Sequence, residues 1–456
     1  GGFNGTLVTG LNAASTAPFD VPLPLARGYM TAGTDSGHQA SSYPEAQGFA
    51  LNNEALLNFA YGAYKNTHDV AVQAALTYYG VKPTKSYYMG QSEGGREGLT
   101  MVQRYPADFD AVFSLDPVIN FVGLQTFGNW VGGIKQTSGG WLGTKIQFVH
   151  DTVMSACDAL DGITDGVVNN YVACKPAADA ALAAKRCPSG ADEGVTCLSD
   201  AQLSAVNGAH TGYTFNFPLA NGVTTYPGFA YGGEGLSGNW SFWMTGTVAP
   251  TFTVAPNVSG LGSLFAFGNG VVRYFIAQNK DFNPLTYNPD NYTARVQTVS
   301  AVMDSTNPDL TVFMNRGGKL ILVEDSGDTA QSPYAGLNYS TAVVAKMGST
   351  AFDTFMRTYV RPNLPHTSSG IAASTNPVNA PAYGIPARFD WLAVLDLWSA
   401  NGTAPPDQVV VTTTGALPPY TVTASKPICR YPKYPKYIGT GTTGGNLASN
   451  YACAAS

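Results

Sequence analysis

Charge is scarce in this chain. Only 12% of its 456 residues are Asp, Glu, Lys or Arg, about half the share of an average soluble domain. The 24 Lys and Arg are scattered and outnumbered by 30 Asp and Glu, for a net charge of −6. No basic patch is left to neutralise a nucleic-acid backbone or to dock on an anionic membrane. No apolar run reaches the roughly 18 residues that would span a bilayer. Histidine is rare, with five in all, and the six cysteines show no CxxC spacing, which argues against zinc. What remains is a chain with 44% hydrophobic residues, enough to bury a large core. Its length suits two or three domains, or one large enzyme fold with an insertion.

Glycine, proline and tyrosine are plentiful, at 51, 29 and 25, and with so little charge the composition has the look of a secreted protein. The chain opens at Gly1 with neither an initiator Met nor a signal peptide, which reads as a processed or truncated end. Six cysteines allow many connectivities. Sequence proximity favours Cys157 with Cys174, Cys187 with Cys197, and Cys429 with Cys453, because short loops close at low entropic cost. Disulfides imply an oxidising compartment. Asn-x-Ser/Thr sequons begin at Asn4, Asn239, Asn257, Asn291, Asn338 and Asn401; in a chain of this composition they carry little weight.

The first 120 residues alternate strand-like and helix-like segments. A short apolar run over 27–35 comes first, then helical spacing over 53–79. A compact strand at Ser86-Tyr87-Tyr88-Met89 follows, then a helix through Leu99, Met101 and Val102, and a buried strand at 111–115. That β-α-β-α-β order predicts a mostly parallel sheet covered by helices, an α/β fold. Residues 121–314 change register, rich in Gly, Asn and aromatics, and predict an inserted lid domain. The sheet pattern resumes over 315–456, at Gly318-Lys319-Leu320-Ile321-Leu322-Val323, with a late apolar helix from Phe389 through Trp398.

Gly90-Gln91-Ser92-Glu93-Gly94 fits G-x-S-x-G, the strand-to-helix elbow that lifts a serine hydroxyl to the top of a sheet. The bare pattern is weak in so glycine-rich a chain, and its place between a strand and a helix is what recommends it over a plain turn. A serine nucleophile needs a histidine base and an acid to fix the tautomer, in the chain order Ser, Asp or Glu, His. His38 and His68 precede Ser92, His150 and His210 fall in the insertion, and only His366 lies in the resumed sheet region. Upstream of it, Asp328 follows the strand by a short loop, with Asp325 as the alternative acid. An oxyanion hole would use the N–H of Glu93 and one from a glycine-rich loop, for which Gly2 in Gly1-Gly2-Phe3-Asn4-Gly5 is the candidate.

Within 157–167, Asp158, Asp161 and Asp165 stand at i, i+3 and i+7 among glycines. Hard oxygen ligands in a tight loop suit calcium, with the carbonyls of Ile163 and Val167 completing the shell; the alternative is a capped Asp/Gly turn stapled by Cys157.

Gly1-Gly2-Phe3-Asn4-Gly5, Thr34-Asp35-Ser36-Gly37-His38, the elbow through Arg96, the loop from Cys157 to Gly162, Gly318-Lys319-Leu320-Ile321-Leu322 and Pro427-Ile428-Cys429-Arg430-Tyr431-Pro432 together resemble the tannase and feruloyl esterase family. The resemblance implies an α/β-hydrolase with a lid inserted between two sheet strands and a triad of Ser92, Asp328 and His366. It implies structural calcium at Asp158, Asp161, Ile163, Asp165 and Val167, and a secreted or periplasmic setting. The expected partner is a small aromatic ester of feruloyl, galloyl or terephthalate type, with no nucleic acid and no membrane. The rivals are an esterase for aliphatic or polymer-derived esters and a catalytically silent binding protein on the same fold. The family usually has cysteines where this chain has Gln91 and Thr367, and a glycine-rich turn where it has Asn363-Leu364-Pro365. A hydrogen bond from the Gln91 amide to the Thr367 hydroxyl is the expected substitute for the missing bridge.

Overall fold

The computed structural model describes residues 6–7, 24–39, 45–252, 260–366, 385–387, 389–413, 424–441 and 444–455. A seven-stranded sheet organises them. Its strands are β1 (Thr6–Leu7), β2 (Tyr87–Gln91), β3 (Ala111–Leu115), β4 (Lys319–Asp325), β5 (Met356–Arg361), β6 (Gln408–Thr413) and β7 (Ala424–Arg430), in the spatial order β1-β2-β3-β4-β5-β7-β6. The four central strands β2 to β5 run parallel, and β1, β7 and β6 add antiparallel edges.

Period-two burial explains how the sheet is covered on both sides. Tyr87, Met89, Phe113, Leu115, Ile321 and Val323 face one way and pack against Trp391, Leu395 and Trp398. Those last residues lie on the late helix, Trp391–Asn401. Tyr88, Val112, Leu320 and Leu322 face the other way and share one core with Phe121, Phe127, Val149 and Val153 of the segment between β3 and β4. That segment is mainly helical, including α1 (Phe121–Asn129), α2 (Ile146–Cys157) and α3 (Tyr171–Ala183). It therefore buries its apolar side chains against the sheet instead of closing a core of its own.

The helical pattern over 53–79 forms Asn53–Leu57, a wide turn over Asn58–Gly62, and Ala63–Tyr79, ended by Gly80 at φ 74°. The early apolar run is not a strand. Pro24–Arg27 is a short 3₁₀ turn and 28–35 has no regular structure. The place beside β2 is taken by β1, and the run lies on the sheet instead, with Arg27 paired to Asp390 at 2.9 Å and Tyr29 against Tyr87. The disulfides are Cys157–Cys174, Cys187–Cys197 and Cys429–Cys453, and no cysteine is free.

Candidate active site

The carboxyl ends of the four parallel strands carry, in order, Ser92 after β2, Asp116 after β3, Asp328 beyond β4 and His366 beyond β5. Ligand crevices in open parallel sheets form at this edge. Ser92 sits between β2 and the helix Glu93–Arg104 with φ 60° and ψ −122°, a strained conformation that a non-glycine residue adopts only when its surroundings impose it. The surroundings are glycine: a Cβ on Gly90 would lie 2.2 Å from the Gly94 carbonyl oxygen. Main-chain bonds pin the turn, from Ser92 N to Leu115 O at 2.9 Å and from Arg96 N and Val118 N to Ser92 O at 3.1 Å each. Glu93 is the first helical residue, so its N–H belongs to the turn that lacks intrahelical partners. Gly2 lies outside the described residues.

His366 Nδ1 stands 2.7 Å from Asp328 Oδ2. The other carboxylate oxygen, Oδ1, accepts from Ala330 N at 2.7 Å and Gln331 N at 3.3 Å, which fixes the acid's orientation. Burial alone would depress the imidazole pKa. The Asp328 charge and hydrogen bond, with Asp325 adding, outweigh it and leave His366 raised above 6.5. The alternative acid, Asp325, is already committed: both its oxygens receive Arg361, at 2.6 Å each.

The loops bearing acid and base are fitted together. A Cβ on Gly327 would lie 2.8 Å from the main chain of Asn363 and Leu364. Asn363, in the place of a typical glycine, takes φ 56°; asparagine is one of the few residues that tolerates this conformation. From the insertion, Asn239 Nδ2 donates to Gly327 O at 2.7 Å, and Thr329 donates to its Oδ1. A residue that resembles a glycosylation sequon is thus fully buried and clamps both sides of Asp328. Trp243 of the insertion meets the His366 ring edge to face at 5.3 Å.

Gln91 Nε2 donates to the His366 carbonyl at 2.7 Å. The residue beside Ser92 is therefore tied to the main chain of His366 itself. Thr367, the expected partner, lies outside the described residues. The other histidines sit elsewhere: His38 stacks on Phe49, His68 meets Phe109 edge to face, and His150 and His210 are buried with Glu234.

In the acidic loop, Asp158 Oδ1 accepts from the N–H groups of Asp165 and Gly166 at 3.1 Å each. Asp161 accepts from Ile163 N at 3.1 Å and from the Asn169 amide. Asp165 faces Lys426 Nζ at 2.8 Å and the Tyr451 hydroxyl at 3.1 Å. Each carboxylate thus has donors of its own, and the three are not gathered round one point. The donor set still fits calcium in type and charge, with three carboxylates against one ammonium and a buried Asn169 Oδ1 that has no hydrogen-bond partner. Burial pushes the Asp158 pKa up and that of Asp161 to about 7. The loop also bridges two parts of the fold. Ile163 packs with Tyr437 and Tyr451 of the C-terminal ribbon, and Val167 packs with Leu364, two residues before His366.

The sequence model of the family described as "Tannase and feruloyl esterase" matches residues 1–454. The chain belongs to that family. It is a carboxylic ester hydrolase. An uncharacterized esterase of Agrobacterium fabrum is 32% identical over 466 residues, covering 100% of this chain and 79% of the relative. Mono(2-hydroxyethyl) terephthalate hydrolase of Piscinibacter sakaiensis is 30% identical, covering 94% of this chain and 74% of its own length. The crystal structure of feruloyl esterase B from Aspergillus oryzae superposes with a TM-score of 0.77 at 24% identity, covering 100% of this chain and 84% of that one, so the family and the α/β-hydrolase fold agree.

Proposed function

We propose that this chain is a serine esterase that cleaves carboxylic esters of aromatic acids through an acyl-enzyme. The observation that carries the reading is the 2.7 Å contact of His366 Nδ1 with Asp328, at the sheet edge where Ser92 is held in a strained strand-to-helix elbow. Nδ1–H directed to Asp328 leaves the Nε2 lone pair for Ser92. As Ser92 Oγ attacks the ester carbonyl carbon, its proton passes to Nε2, and the oxyanion is met by the Glu93 N–H and, in this reading, that of Gly2. The imidazolium then protonates the departing alcohol. Water, deprotonated by the same nitrogen, attacks the acyl-serine and releases the acid. The aromatic preference rests on the feruloyl and terephthalate relatives and on Trp243, stacked with Phe267 at 6.1 Å beside His366. That contact also supports the insertion acting as the lid over the site.

Calcium at Asp158, Asp161 and Asp165, with the carbonyls of Ile163 and Val167, belongs to the same proposal as a structural ion. An oxidising, extracytoplasmic setting is supported by the three disulfides. The test is a hydrolysis panel of methyl ferulate, methyl gallate, mono-hydroxyethyl terephthalate and short aliphatic p-nitrophenyl esters, with Ser92→Ala as control. Turnover of the aromatic acid esters that vanishes in the control is expected. Preference for the aliphatic esters would overturn the aromatic reading, and no turnover of any ester would overturn the enzyme itself.

A further inference from the structure

The end of β3 carries a carboxyl that this mechanism does not use. Asp116 is fully buried and adopts φ 44°, in the region that non-glycine residues seldom occupy. Its turn is pinned on both sides: its N–H donates to Val323 O at 2.9 Å, and its Oδ1 accepts from Asp325 N at 2.7 Å. Its Oδ2 is buried, and the carboxyl shares a side-chain hydrogen bond with Asp325. Donor atoms of Asp116, Asp328 and His366 all lie within 4.8 Å of one another. His366 thus faces two carboxyls from neighbouring strands, one in contact and one close behind.

Acidic side chains crowd Asp116. Asp325, Asp328 and Glu324 surround it, with Arg361 as the facing cation besides His366, and Arg361 is engaged bidentately by Asp325. Burial, then the Asp325 and Asp328 charges, push the Asp116 carboxyl well above the usual range, with Arg361 opposing. That balance favours the neutral form of Asp116.

We infer that Asp116 is a reserve acid: a positioning residue on the adjacent strand that takes over as the carboxylate partner of His366 when Asp328 is removed. The inference rests on the Ser92–His366–Asp328 reading. Deleting the Asp328 side chain removes a neighbouring charge that disfavours ionised Asp116 and vacates the place beside the ring, within 4.8 Å of the Asp116 carboxyl. Asp116 then releases its proton to solvent and its Oδ2 accepts the imidazole N–H. An acid that must first ionise works better as pH rises.

The test compares Asp328→Ala with Asp328→Ala/Asp116→Asn, in kcat/KM across pH, with Ser92→Ala setting the background. The asparagine keeps an oxygen for Asp325 N. The single variant should exceed the double by at least about tenfold at alkaline pH, a share of the roughly 10⁴-fold effect of a triad acid. Its residual rate should also fall on acidification through a limb that the double variant lacks. Equal rates and equal pH profiles for single and double, both far below wild type, would overturn the reserve acid and leave the triad reading intact. Wild-type rates in both would instead remove Asp328 from the mechanism. Should melting curves show Asp328→Ala unfolded, Asp328→Ser, whose hydroxyl is an acceptor for Ala330 N, carries the same comparison.

Discussion

Ser92 and His366 come to the same edge of the sheet by different means. Ser92 is set by backbone alone: a parallel strand, a helix and two glycines in contact leave its φ and ψ no alternative. His366 follows β5 by a short stretch and is held by side chains from four places: Asp328, Gln91, Trp243 and, through Leu364, Val167 of the acidic loop. The elbow resembles a covalent fixture, whereas the histidine arm is an assembly of contacts each worth about 1 kcal/mol. Perturbations should therefore act on the arm far more readily than on the elbow.

Removing either reacting group is the harshest test. Ser92→Ala and His366→Ala should each lower kcat/KM by at least about a thousandfold while the protein stays folded, because neither fills the core. The two acids separate next. Asp328→Asn should cost about 10³–10⁴ in kcat by stabilising the wrong imidazole tautomer while the protein stays folded. Asp325→Asn leaves Arg361 buried without its carboxylate and should instead lower stability by about 3–5 kcal/mol in denaturant titration. A reversed pattern would make Asp325 the acid.

The arm itself is probed by Gln91→Ala, which deletes its 2.7 Å tie. A net loss of about 0.5–1.5 kcal/mol predicts a kcat/KM lower by about two- to tenfold. The pH profile follows from sign. The base must be neutral, and because Asp328 raises the His366 pKa, kcat/KM should fall on acidification through a midpoint above 6.5. The smallest effect is expected from the ion. Chelation should lower the melting temperature by a few degrees and calcium should restore it, and the shift should be larger at pH 8 than at pH 5. Acidification protonates Asp161, whose pKa is about 7, and a ligand carboxyl must be ionised to bind. An Asp161→Ala variant with an unchanged, calcium-independent melting curve would remove the ion from the account.

The elbow and the central strands were legible because their signals are local: period-two apolar residues, and glycines where no Cβ fits. The arm was less so, since its parts are brought together only by the fold. Asn239 looked like a sequon, and Trp243 was one aromatic among many in the insertion. Asp116 ends an ordinary apolar strand, and nothing in Ser114-Leu115-Asp116-Pro117 announces a second carboxyl behind the histidine. Gln91 stands out in the sequence only as a replaced cysteine, and residue types alone do not announce its bond to the His366 main chain. The run at 27–35 has strand composition, but the sheet edge it would need is filled by Thr6–Leu7.

The central claim is that the histidine arm activates a serine fixed by the elbow. It is tested most directly by an aryl phosphonate ester that reacts with activated serines, followed by intact mass and peptide mapping. The account predicts one adduct per chain, on Ser92, formed at a rate that collapses in His366→Ala. An adduct on another serine, or labelling of Ser92 that is equally fast without His366, would contradict it.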